Sequence, residues 1–364
     1  MWPLEGIKVL DLTQNVAGPY ASMILGEFGA EVTKVEPPKG DPTRAWGPPF
    51  WGGYTPTYLS LNRNKTTIMI DMKTKQGLQE VYKKIQEAEV VLVSNRPASL
   101  KKLGLDYESV KKHNHRIIYG EVTAFGNEGP KSSEPGYDPL MQAMAGIMSV
   151  TGHQGQPPVR VGTSIIDMST GMWLSIGVLN ALLMQTNDNQ GRRVTSSLYE
   201  SAVAWMSYHM AAYWSSGEAP TSWGSGNAMI SPYEAFPAND GWVVIAAGND
   251  KLFEQLCEIL NKQEWLHEER YKTNALRVEN REVLSNEISA ITAQHTTEHW
   301  LQLLRSKGIP VAPVLDAVAM DKEPQLKASG IVQKIAHPAI DGFKSIGLPL
   351  KIDDERPPLR FPPL

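Results

Sequence analysis

Asp167 follows the apolar run Val161-Gly162-Thr163-Ser164-Ile165-Ile166 and opens a long apolar stretch from Met168 to about Gln185. Two kinds of chemistry fit that position. As a helix N-cap, its carboxylate would accept hydrogen bonds from orphan amides. At a strand-to-helix junction it would stand at the carboxyl edge of a sheet, where open α/β folds bind ligands. A carboxylate there could attack an activated acyl group as a covalent nucleophile. The two roles are compatible, since nearby amides would also support an oxyanion.

Other candidates are weaker alone. Gly136-Tyr137-Asp138-Pro139 is either a turn or part of a site, because Gly, Asp and Pro are all turn residues. Asn95-Arg96-Pro97 ends one strand, and Lys73 follows Ile70-Asp71-Met72 after another. Basic groups there hold phosphates in some proteins and are merely solvated in most. Gly224-Ser225-Gly226-Asn227 reads as a mobile loop or a linker. His295-Thr296-Thr297-Glu298-His299 has zinc-peptidase spacing, but Thr296 reads as a helix N-cap, so His295 is expected to lie before the helix and point elsewhere. No metal site is expected.

The elements that must position these residues alternate. β-branched runs at 7–12, 31–35, 67–71, 90–93 and 116–122 are separated by helix-like stretches at 20–28, 77–88 and 100–112. Leu78, Val81, Ile85 and Ala88 recur at helical spacing. Such alternation predicts a parallel sheet covered on both faces, hence a Rossmann-like α/β domain. A buried helix over 168–185, a strand at 194–198, a Ser/Gly/Pro-rich linker at 215–227, a strand at 241–247, helices near 250–261, 277–293 and 296–307, and a short strand at 311–314 complete the pattern.

Length and composition narrow the function classes. A chain of 364 residues suggests two domains at about 150 residues each. The formal charge of −4 comes without a basic stripe, so no nucleic-acid partner is expected. The longest apolar stretch, Met172 to Met184, is shorter than the roughly 18 residues of a membrane span, and no secretory signal precedes it. A cytoplasmic, membrane-free protein is the expectation. The lone Cys257 cannot form an internal disulfide. Neither Gly-x-Gly-x-x-Gly nor the P-loop pattern occurs in a phosphate-binding position, and Gly-x-Ser-x-Gly is missing, which argues against nicotinamide chemistry and a hydrolase elbow.

Taken in order, several segments resemble the class III CoA-transferase family: Leu4-Glu5-Gly6-Ile7-Lys8-Val9-Leu10-Asp11-Leu12-Thr13, Ala17-Gly18-Pro19, Leu25-Gly26-Glu27-Phe28-Gly29-Ala30, Gly40-Asp41-Pro42-Thr43-Arg44, Asn62-Arg63-Asn64-Lys65, Gly136-Tyr137-Asp138, Gly191-Arg192-Arg193-Val194 and Ser231-Pro232-Tyr233-Glu234-Ala235-Phe236. The resemblance implies that Asp167 is the catalytic nucleophile, passing CoA through mixed-anhydride and aspartyl-CoA intermediates. It implies CoA contacts at Val16, Ala17, Asp71, Met72, Lys73, Asn95, Arg96, Lys102, Gly136, Tyr137 and Asp138. Coenzyme A enters as substrate, in a thioester exchanged with a carboxylic acid, and no other cofactor is implied.

Val16 stands where formyl-CoA transferase has Gln, and Pro37 where it has Arg, which argues against formate and oxalate as substrates. The racemase branch carries His-Asp where this chain has Tyr137-Asp138. A Tyr with a pKa near ~10 is a poor proton shuttle at neutral pH, which favours transfer over racemisation. A catalytically idle CoA-binding subunit is the third alternative, opposed by the presence of Asp167. The resemblance further implies a large domain of 1–200 joined by 321–364, a linker at 201–224, an inserted α+β domain at 225–320, and an interlocked homodimer. Many relatives of the family continue past the region matching Pro362-Pro363-Leu364 into a further helix, and the present sequence stops there.

Overall fold

The computed structural model describes residues 2–364. The chain divides into two units. The first runs up to Ile147, resumes over Arg160–Met210 and finishes with Pro324–Leu364; the second comprises Met148–Val159 and Ala211–Glu323.

The first unit is built on six strands: β1 (Lys8–Asp11), β2 (Glu31–Glu36), β3 (Lys65–Met69), β4 (Val90–Val93), β5 (Ile118–Thr123) and β6 (Arg192–Ser197). Their order is β3-β2-β1-β4-β5-β6, every pair parallel. That is the doubly wound arrangement, in which loops at the carboxyl ends of the strands form the ligand edge. The helices of its first stretch are α1 (Ala17–Glu27), α2 (Pro56–Leu61), α3 (Lys75–Glu87), α4 (Pro97–Leu103), α5 (Tyr107–His113) and α6 (Asp138–Met144). The single helix expected over 100–112 is two, because the chain turns at Gly104 with φ of +68°, a left-handed value that suits glycine. Asp106 then caps α5 by accepting from the Ser109 amide. Leu10, Val91 and Tyr119 of the sheet pack with Val81, Ile85 and Val110 of α3 and α5 into one core.

After a short helix α7 (Ile147–Val150) comes α8 (Ile165–Asp188). It is long and apolar enough, by length and composition, to cross a membrane, which corrects the shorter stretch read from sequence. One side packs on α1 and the sheet: Leu174 and Val178 lie against Gly120 of β5, and a Cβ on Gly171 would stand 2.5 Å from the Ala17 carbonyl oxygen. Its other side leaves Met172, Trp173, Ile176, Leu183 and Met184 exposed, so the helix is not buried all round as its composition predicts. Helices α9 (Leu198–Trp205) and α10 (Ser207–Ser216) follow β6 and occupy much of the stretch read as a linker.

The second unit holds an antiparallel sheet of β7 (Tyr233–Ala238), β8 (Gly241–Ala246) and β9 (Val311–Pro313). Behind it Phe253, Leu256, Leu284, Ile288, Trp300 and Leu304 form a separate core, with Cys257 buried inside. Thr296 caps the helix Thr297–Ser306 as expected, accepting from the His299 amide. His295, however, does not point away. Its ring stacks on His299 with centroids 4.3 Å apart and planes at 21°. The in-plane lone pairs of stacked rings run parallel and cannot converge on one ion. Among the described residues there is no group of three or more metal-ligating side chains.

Candidate active site

A buried charge network holds the loop that leaves β1. Asp11 ends that strand fully buried, and its Oδ1 accepts from Thr13 N at 2.9 Å and Thr13 Oγ1 at 2.5 Å. Its Oδ2 accepts from Ser22 Oγ at 2.5 Å and Lys65 Nζ at 3.2 Å. Lys65 has its other two donors on the Pro19 carbonyl (2.8 Å) and Asn62 Oδ1 (3.0 Å). Beside them Lys34 Nζ donates to the Thr13 carbonyl at 3.0 Å and pairs with Asp41 at 2.9 Å. Burial pushes the Asp11 carboxyl up, but Lys65, Lys34 and the two hydroxyls outweigh it and hold Asp11 below the usual carboxylate range. The network fixes residues 12–19, and with them the start of α1.

A cleft lies at the carboxyl edge of the sheet next to that loop. Val16 and Ala17 form one side, Asn95 and Arg96 the β4 end, Gly136 and Tyr137 the entry to α6, and Asp167 the wall from α8. Seven of the residues singled out in the sequence are thus brought together. Gly171 makes the arrangement possible, since only a residue without Cβ lets α8 approach the first turn of α1 this closely. Val16, the N-cap of α1, makes no side-chain cap bond.

Asp138 has a different place. It is buried behind the cleft, where its Oδ2 accepts from the Ile166 amide at 2.7 Å and the Asp167 amide at 3.3 Å. Its Oδ1 accepts from Gln142 Nε2 at 2.6 Å, and Gln142 Oε1 accepts from Val161 N at 2.8 Å. Asp138 therefore does the capping that the sequence assigned to Asp167, while the N-cap position itself is Ser164. Asp167 is the third residue of α8, and no strand precedes it: residues 161–164 are irregular, with the Val161 amide held by Gln142 rather than by a sheet.

The Asp167 carboxylate receives no hydrogen bond among the described residues and is part-buried. Burial, and then the like charge of Asp138, push it up to about 7. A helix start favours an anion by about 0.3–1 kcal/mol, under one pKa unit, so desolvation wins. An incompletely solvated carboxylate with no donor to satisfy is a strong nucleophile once ionised.

Asp71, Met72, Lys73 and Lys102 do not line this cleft. Asp71 Oδ1 accepts from the Lys73 amide at 3.0 Å, and Thr74 caps α3, so these three residues form the turn after β3. Lys102 is exposed in the last turn of α4. Trp46, Ser94 and Ser132 line the cleft as well, and nothing local in the sequence marks them, because they come from separate loops. In the second unit, Gly224 bridges to Gly152.

The sequence model described as CoA-transferase family III matches residues 4–364. Succinyl-CoA:glutarate CoA-transferase of Homo sapiens is 36% identical over 362 residues, covering 98% of this chain and 83% of that protein. Acetyl-CoA:oxalate CoA-transferase of Acetobacter aceti is 32% identical over 362 residues, covering 98% and 92%. The crystal structure of a CAIB/BAIF family protein from Brucella suis superposes with a TM-score of 0.90 at 33% identity, covering 100% of this chain and 96% of that one.

Proposed function

The chain belongs to CoA-transferase family III and is an enzyme of that type, and on that footing we propose that CoA passes through Asp167 between an acyl-CoA thioester and a free carboxylic acid. The observation that carries this reading is the Asp167 carboxylate itself, placed in the cleft wall without a hydrogen-bond donor and raised to about 7. Its oxygen attacks the thioester carbonyl, forming a mixed anhydride and releasing CoA thiolate. The thiolate attacks the aspartyl carbonyl, forming aspartyl-CoA and freeing the donor acid. The acceptor carboxylate attacks aspartyl-CoA, and the released thiolate then takes the acceptor acyl group, restoring the Asp167 carboxylate. No proton is consumed and the thioester's activation is kept, which is the advantage of a covalent route over hydrolysis. The first amides of α1, at Ala17 and Gly18, which line the same cleft, are the donors assigned to each oxyanion in this reading.

Val16, Ala17, Asn95, Arg96, Gly136 and Tyr137 hold the thiol-proximal part of CoA in this reading, with Asp71, Met72, Lys73 and Lys102 contacting its nucleotide end. Asp138 acts from behind, by fixing the start of α8. The acids named for the relatives, glutarate and oxalate, carry two carboxylates, so a short dicarboxylate is the acceptor class we adopt. Two interlocked chains in the cytoplasm, without metal, nicotinamide or flavin, are the working unit; the apolar side chains exposed along α8 support a partner chain there.

The test is incubation with succinyl-CoA and glutarate, trapping with hydroxylamine or borohydride, and mass spectrometry of the peptide containing residue 167. An adduct on Asp167 is expected. Full turnover by Asp167→Ala would end the reading.

A further inference from the structure

A second groove in the first unit has a cavity volume of about 670 Å³ and shares Val16 and Trp46 with the Asp167 cleft. Ser164 and Met168, which flank Asp167 on α8, form part of its wall. Leu61, Ile346 and Leu348 make it largely apolar, while Tyr20 and Arg63 give it a polar end. Arg63 is only 3% exposed. Its Nε binds Glu27, and its Nη1 donates to the Ser60 carbonyl at 2.7 Å and to Ser345 Oγ at 3.5 Å. Its Nη2 has no partner among the described residues. The Tyr20 hydroxyl has none either, and burial, more than the fields of Arg63 and Glu27, keeps it protonated and therefore a donor. Charge is unbalanced in the same direction: the guanidiniums of Arg63 and Arg356 both act on the single Glu27 carboxylate.

We propose that this groove receives the carbon chain of a dicarboxylate, with its second carboxylate held by Arg63 Nη2 and the Tyr20 hydroxyl while its first faces Asp167. The assignment rests on the transfer reading above and supplies what that reading leaves open, namely the residues that select the acid. An apolar groove ending in orphaned donors suits a short chain with an anionic terminus. A monocarboxylate of equal length leaves those donors unpaired, and such sites discriminate strongly.

The experiment measures kcat and KM for CoA transfer from succinyl-CoA to glutarate against valerate, and from butyryl-CoA to succinate against butyrate bearing an isotopic label. The wild type is expected to favour each dicarboxylate by at least about tenfold in kcat/KM. Tyr20→Phe, which removes only the hydroxyl, and Arg63→Lys, which keeps a charge for Glu27, are expected to shrink that ratio mainly through KM of the dicarboxylate. A wild type that transfers CoA to all four acids without preference overturns the anchor and leaves transfer standing. So do variants that lose both acid classes equally. Transfer to none of the four overturns the transfer reading, and the anchor with it.

Discussion

Asp11 and Asp167 both sit beside the same loop, yet their surroundings are opposite. Asp11 is enclosed by two ammonium groups and two hydroxyls, and every contact favours its charged form. Asp167 has no donor to its carboxylate and a second carboxylate, Asp138, nearby, and both burial and that neighbour favour its neutral form. A buried acid with full partnership is a structural part with its chemistry suppressed. A buried acid without partners is poised for chemistry and costs the fold something to keep.

The contrast can be broken most severely at Asp167. Asp167→Asn is expected to lower kcat for CoA transfer by at least about 10³-fold, measured by thioester exchange, because the amide is not a nucleophile under these conditions. Asp11→Ala is expected to leave the buried Lys65 ammonium without its carboxylate, while Lys34 keeps Asp41. The loss of stability should be about 3–5 kcal/mol in urea unfolding, and an unchanged midpoint would show that the network is dispensable.

Smaller effects are expected from pH. In the proposed mechanism Asp167 attacks as the ionised carboxylate, so kcat/KM of the wild type should rise as pH increases through about 7. Asp138→Asn should move that rise toward acid without returning it to the ordinary carboxylate range, since burial is the larger cause. A profile unaltered by Asp138→Asn would remove Asp138 from the electrostatics of the site. The smallest effect is on stability. Because the folded state raises the Asp167 pKa, it binds more protons than the unfolded chain between about 4 and 7, and the wild type loses stability across that window as pH rises. Asp167→Asn lacks this loss, so its melting temperature should exceed that of the wild type by a margin that grows to pH 7 and then levels off.

The sequence disclosed the parallel sheet because β1 to β5 are short β-branched runs separated by helices, and periodicity records local burial. It disclosed less where a partner lies far along the chain. Asp138 caps α8 from 28 residues away, so the capping role fell to the wrong aspartate. Arg63 meets Glu27 across 36 residues, which hides the groove's polar end from any local pattern. The strands β7 and those at Val332–Lys334 and Lys344–Ile346 carry no readable strand pattern, since two are only three residues long and Pro237 interrupts the first. The apolar run 161–166 is not a strand: residues 161–164 are irregular, and Ile165 and Ile166 already belong to α8.

The returning tail has a consequence for how the enzyme is made. Arg360 donates to the Gly26 and Ala30 carbonyls, Asn64 Oδ1 accepts from the amides of Arg360 and Phe361, and Ile331 and residues 345–349 wall the groove. During translation, α1 and Asp167 emerge well before these segments, and the Ala211–Glu323 part of the second unit is synthesised in between. A nascent chain stalled after Glu323 would carry Asp167, the proposed nucleophile, but lack one side of the groove beside it. The wall proposed to select the acid is therefore added after the residue proposed to attack the thioester.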